Sequence, residues 1–144
     1  MRAIHMLTPG EYPEPAIVSG DTVTIMGEGD LEKPFEIHVH TGVKGSGPGL
    51  HAHPWDEAFF IVEGEVEVIV GQPADLDLEH GITSIVVGAG SCVQIPANTV
   101  HGYTNQSKTM RLIGVVSDAK GGNFFRAIDK LRYPEDLDQV IETA

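Results

Sequence analysis

Apolar and polar positions alternate with period two in short bursts along this chain, and glycine or proline separates one burst from the next. The clearest is Glu65-Val66-Glu67-Val68, in which a half-buried strand turns its valines inward and its glutamates to water. Comparable β-branched or aromatic runs occupy Thr22-Val23-Thr24-Ile25-Met26, Phe35 to Thr41, Ala58 to Val62, Glu65 to Val70, Thr83 to Val87, Ser91 to Ile95 and Arg111 to Val116. Glu63-Gly64 joins two of them with the spacing of a tight hairpin, and Gly88-Ala89-Gly90 marks another turn. Short runs with regular turn signals and little helix predict an antiparallel sandwich or barrel.

The period changes only after Gly121-Gly122. There Phe124, Ile128 and Leu131 fall on one helical face with Asn123 as a candidate N-cap, which predicts a short helix. Tyr133-Pro134-Glu135-Asp136 predicts the start of a second, with proline at the first helical position and acids in the first turn. Leu137, Val140 and Ile141 recur at helical spacing, so this helix is expected to lie against the outside of the barrel. The first 21 residues, rich in Pro and Gly, are expected to form an arm without firm structure. The chain therefore divides into an N-terminal arm (1–21), a barrel core (about 22–117) and a C-terminal helical segment (121–144) of one domain spanning 1–144.

Composition narrows the function classes. A chain of 144 residues buries a single core. Its formal net charge of -12 leaves no basic patch for phosphates, so nucleic acid and anionic membrane surfaces are not expected as partners. The start MRAIHMLTPGEYPEP lacks the pattern of a signal peptide, and no run of about 18 apolar residues occurs, so a cytoplasmic protein is expected. Cys92 is the only cysteine, which excludes an intramolecular disulfide and a Cys-based zinc cluster. With no charged neighbour in sequence, Cys92 is expected to be a small buried hydrophobe rather than a nucleophile.

The stretch HAHPWDEAFF, His51 to Phe60, carries the candidate chemistry. In an extended chain His51, His53 and Glu57 share one face, with Phe59 and Ile61 beside them. Pro54 cannot donate to a sheet ladder and marks a bend between His53 and Glu57. Two imidazoles and a carboxylate at an apolar wall suit a divalent first-row metal, although the same residues also fit an exposed turn. A second stretch, GSCVQIPANTVHGYTN, places His101 after a Pro-Ala-Asn turn.

Together the two stretches resemble the paired signature of the cupin superfamily. The first half, G-x5-H-x-H-x3-E-x6-G, is matched by Gly45, His51, His53, Glu57 and Gly64. The second, G-x5-P-x-G-x2-H-x3-N, is matched by Gly90, Pro96, His101 and Asn105, with Asn98 in place of the usual glycine. Asparagine is the non-glycine residue best able to hold a left-handed turn. The resemblance implies a small single-domain cupin: an all-β, jelly-roll-like, double-stranded antiparallel barrel that holds one divalent transition metal ion through His51, His53, Glu57 and His101. Iron, manganese, nickel, cobalt, copper and zinc all suit that donor set. Up to two open coordination positions would take substrate, water or dioxygen, and Glu57 would also serve as a catalytic base.

Around these ligands Phe59, Ile61, Tyr103 and His40 are candidate substrate contacts, with Trp55, His38 and Gln94 near them in the pattern. Core packing is the alternative for the aromatics, and the solvated face of an amphipathic strand is the alternative for His38 and His40. The overall layout is loosely similar to quercetinase-like cupins. It implies a dioxygenase acting on a small organic substrate, with a cupin-type isomerase or lyase and a non-catalytic metal- or ligand-binding module as alternatives. A homodimer is also implied, with the arm or an edge strand at its interface.

Overall fold

The computed structural model describes residues 4–29, 34–71 and 83–117. The strands there are β1 (Ala16–Val18), β2 (Asp21–Gly27), β3 (Glu36–Val43), β4 (Glu57–Glu63), β5 (Glu65–Gly71), β6 (Thr83–Gly88), β7 (Cys92–Ile95), β8 (Val100–Asn105) and β9 (Thr109–Val116), and there is no helix among the described residues. All pairings are antiparallel. One sheet runs β1-β2-β3-β9-β4-β7 and the other β6-β5-β8. Both C-terminal helices expected from the sequence lie outside the described residues.

Alternation places the core between the two sheets. Phe59, Ile61, Ile95, Met110 and Leu112 project from the larger sheet to meet Val66, Val68 and Tyr103 of the smaller one. In β5 the valines are buried and Glu65 is exposed, as period two requires. Every run read from the alternation is a strand; besides β1, the apolar pattern does not mark β8. Its inward residues are His101, Tyr103 and Asn105, so a buried face there reads as polar.

Three local expectations are corrected. Glu63-Gly64 is a corner between sheets and not a hairpin, because β4 pairs with β7 and β9 while β5 pairs with β6 and β8. Gly64 makes the turn at φ 87°, where a Cβ would stand 2.6 Å from the Thr109 carbonyl oxygen. The supposed arm contributes β1, whose Ala16 and Val18 are buried opposite Val23 and Asp21 of β2. Cys92 is exposed, since β7 is an edge strand that turns Ile95 inward and Cys92 outward.

The Gly64 corner gives a stability test. Gly64→Ala combines an unfavourable φ with a backbone clash and should cost about 2 kcal/mol or more in urea unfolding. Equal stability of the variant would show that the corner relaxes without strain.

Candidate metal centre

Segments far apart in sequence are joined backbone to backbone before any side chain is considered. His51 and His101 form an antiparallel bridge, each backbone N donating to the other's carbonyl oxygen at 2.9 Å. The chain then bends at Pro54-Trp55, as the proline predicts, and is clamped again at Asp56. Asp56 exchanges backbone bonds with Ser117, its N–H reaching the Ser117 hydroxyl, and its Oδ1 accepts from Ala97 N at 2.9 Å. The turn that contains Ala97 returns the contact, because Asn98 N donates to the His53 carbonyl at 2.8 Å. Asn98 holds φ 63°, the left-handed conformation for which asparagine is the best substitute for glycine.

These clamps bring His51, His53, Glu57 and His101 together. One ligand atom from each lies within 4.8 Å of the others, so the four side chains form a group that can hold one metal ion. Glu57 Oε2 is 2.8 Å from His53 Nε2 and 3.0 Å from His101 Nε2. Donors about 2.1 Å from one ion and at right angles to each other stand about 3 Å apart, so these separations fit shared coordination.

The other ring nitrogens are all engaged. His51 Nδ1 donates to the Gly49 carbonyl at 2.7 Å, His53 Nδ1 to that of Trp55 at 3.0 Å, and His101 Nδ1 to that of Thr99 at 2.8 Å. A carbonyl oxygen only accepts, so each Nδ1 carries its proton and each Nε2 is left as the ligand atom. Trp55, buried, stacks on the His53 ring at 4.6 Å and 7° and restrains its rotation further.

Burial acts to raise the Glu57 carboxyl, but hydrogen bonds and charge from His101 and His53 outweigh it and hold the group well below the usual carboxylate range. The same bond has the reverse effect on His101, which it raises despite burial. Burial, reinforced by the neighbouring His101, pushes His51 down to about 4. Glu57 keeps 11% of its side-chain surface and borders a cavity of about 590 Å³, with Phe35, Asp56, Gln94, Pro96 and Val115 also in the wall. Its wall residues Ala58, Gln94 and Val115 pair in register on the outward side of the larger sheet, the side opposite the inward positions of Phe59 and Gly114.

The remaining expected contacts divide. Gln94 lies on the cavity wall and is exposed. Phe59 and Ile61 belong to the hydrophobic core, with Phe59 against Tyr103 at 5.7 Å, and neither lines that cavity. His38 and His40 are not on a solvated face: they are buried with Glu36 on the inward side of β3. Their shared parity was visible, but parity alone does not say which face of a strand is wet. His38 Nε2 is 3.1 Å from Glu36 Oε2, and His40 Nδ1 is 3.1 Å from the Tyr103 hydroxyl. That hydroxyl donates in turn to Asp21 Oδ2. Burial, aided by His38, pushes His40 down to about 3, and burial together with Asp21 holds Tyr103 well above the usual phenol range. The sequence reasoning missed Asp21 and Asp56. Asp21 shares parity with Val23 and Ile25, a signal that a buried acid stood at the head of β2.

The sequence profile of the cupin domain matches residues 37–116, over half of the chain. The chain is a cupin. Among solved structures this cupin is similar to an RmlC-like cupin from Shewanella frigidimarina, with a TM-score of 0.65 and 21% identity over 84% of this chain and 96% of that one. It is similar also to the iron(II) form of HppE, with a TM-score of 0.62 and 14% identity over 78% of this chain and 60% of that one. An oxalate oxidase gives a TM-score of 0.58 and 22% identity over 70% of this chain and 52% of that one. No curated protein sequence matches it.

The depressed His40 gives a pH prediction for the metal-free cupin. Folded His40 titrates near 3 and an unfolded histidine near 6.5, so its stabilising contribution is complete above about 6.5 and declines as pH falls toward 3. In urea unfolding, the advantage of the unaltered chain over His40→Gln should shrink by about 2 kcal/mol between pH 7.5 and 5.0. A difference independent of pH would mean that His40 is not held neutral by the fold.

Proposed function

We propose that this cupin is a metal-dependent enzyme, a dioxygenase acting on a small organic substrate that presents an enol or hydroxyl oxygen. The observation that carries the reading is the set of three Nδ1-anchored imidazoles whose Nε2 atoms converge with the Glu57 carboxylate. His51, His53, Glu57 and His101 would hold the ion. A bound divalent transition metal supplies a Lewis acid with open positions for substrate and dioxygen.

The chain's own residues do the rest. Glu57, whose side chain keeps 11% of its surface, would accept the proton from the substrate hydroxyl. The O–H bond breaks, its electron pair stays on the substrate oxygen, and the proton passes to a Glu57 Oε. Asp56 sets where that carboxylate stands, because its bonds to Ser117 and Ala97 fix the residue before it. A second reading, an isomerase or lyase of the cupin type, draws on the buried His40 and Tyr103, two titratable groups in hydrogen-bond contact inside the barrel.

Two measurements test these readings. Protein purified without added metal should contain about one transition-metal ion per chain, and both His51→Ala and Glu57→Gln should lower its occupancy, since losing even a partner outside the ligand shell costs about tenfold or more in affinity. Full occupancy in both variants would overturn the ligand assignment. The metal-reconstituted protein should consume oxygen with at least one member of a panel of flavonols, catechols and diketones. Solvent exchange of an enolisable proton without oxygen uptake would favour the second reading, and neither reaction would leave a ligand-binding module.

A further inference from the structure

The two sheets differ on their outward faces. On β5 the outward positions next to the buried valines are Glu65 and Glu67, polar as a water-facing strand requires. On the larger sheet the outward row is apolar: Phe60 pairs with Ile113 and Ala58 with Val115, in alternation with the buried Phe59, Leu112 and Val116. Phe60 and Val62 are each 44% exposed, Val115 37%, and Phe35, just before β3, 51%. Val62 is the extra residue of the bulge in β4, and a bulge re-aims its side chain. With Val39 and Ile113 it lines a cavity of about 410 Å³ on this face. A continuous apolar strip that faces outward marks a surface that another element covers.

The strip has opposite charge at its two ends. Exposed Asp56 stands at the end where β9 finishes, in the wall of the 590 Å³ cavity with Phe35 and Val115. At the other end Arg111 occupies the outward row of β9, and Lys44 and Lys108 flank the Val43–Thr109 pair. These three are all the lysines and arginines among the described residues, gathered at one corner of a chain with a net charge of -12.

Residues 118–144 leave from the acidic end. Ser117 is bonded to Asp56 and lines the same cavity, and Asp118 to Gly122 then lead to the amphipathic run 123–131. A nine-residue helix is about 14 Å long, which equals the span of about 14 Å from Val115 to Arg111 along β9. The charges also follow in the right order. Arg126 and Lys130 come first, and Glu135, Asp136, Asp138 and Glu142 come after them in a run 133–144 without lysine or arginine. A second copy on the same face would instead bring up another chain of net charge -12.

We propose that residues 123–142 dock along the outward face of the larger sheet as an intramolecular strap. Phe124, Ile128 and Leu131 lie on Phe60, Ile113 and Val115, and the acids of 135–142 reach the corner of Arg111, Lys44 and Lys108. The strap needs no metal, so it stands or falls apart from the function proposed above.

Hydrogen exchange of the full chain, read by mass spectrometry, tests it. Amides of 123–131 should be protected, and Phe60→Asp, a change on β4, should lower that protection at least about tenfold, the worth of exposing one large apolar side chain. Phe35→Asp, outside any strand, should act in the same direction and serves if Phe60→Asp does not fold. Amides of β5 and β8 report folding in both variants and should exchange as in the unaltered chain. Lys44→Glu combined with Lys108→Glu should lower the protection of 135–142 about twofold, the worth of an exposed ion pair. No change there would overturn the placement of the acidic run. A segment 123–131 without protection, or with protection that both Phe60→Asp and Phe35→Asp leave intact, overturns the strap. So does protection that fades on dilution while sedimentation shows dimers dissociating, because a second copy then covers the face.

Discussion

Each of the three ligand imidazoles donates its Nδ1–H to a backbone carbonyl, and much of the surrounding structure keeps those carbonyls where they are. Gly49 and Thr99 each lie two residues before the histidine they hold, on the two sides of the His51–His101 bridge. Trp55 lies two residues after His53 and stacks on its ring. The lone pairs converge through these bonds, so little rearrangement separates the protein alone from a site ready for an ion. A cluster of buried imidazoles around a carboxylate costs stability in an apolar core unless its members are paired. Here each is paired at least once within the fold.

The interior is consequently divided. Phe59, Ile61, Val66, Val68, Ile95, Met110 and Leu112 form an apolar region between the sheets. Glu36, His38 and His40 line the inward face of β3, and Tyr103 reaches toward them from the opposite sheet. In register, Glu36 and Glu57 both pair with Val116 from its two sides, so β9 is the strand between the polar face of β3 and the strand that carries Glu57. An inner ring of titratable groups facing a ligand cluster is the kind of arrangement in which a fold common to many chemistries acquires one of its own.

The sheet composition was largely legible because the same period of two that buries Val66 and Val68 also spaces their exposed neighbours. The ligand set was legible through the resemblance to the paired cupin signature, in which glycine, proline, histidine and glutamate keep fixed spacings. Asn98 keeps its left-handed φ, and Gly45, Gly64 and Gly90 have φ of 86°, 87° and 88°. What failed to show were features that depend on a partner strand. Alternation does not distinguish the Gly64 corner from a hairpin, since both need a tight turn between extended runs. The apolar pattern passed over β8 because its buried face carries His101, Tyr103 and Asn105.

Local chemistry therefore determined, without any contact between distant residues, that the chain is built of short strands, where several of them turn, and which histidines and glutamate are candidates for a metal. Tertiary structure decided which side of β3 is dry, which sheet each strand joins, and that Asp21 reaches His40 through Tyr103. The reason is physical. Strand period and turn conformation are properties of neighbouring residues, whereas burial and hydrogen-bond partnership are set by whatever the other sheet brings to the same space.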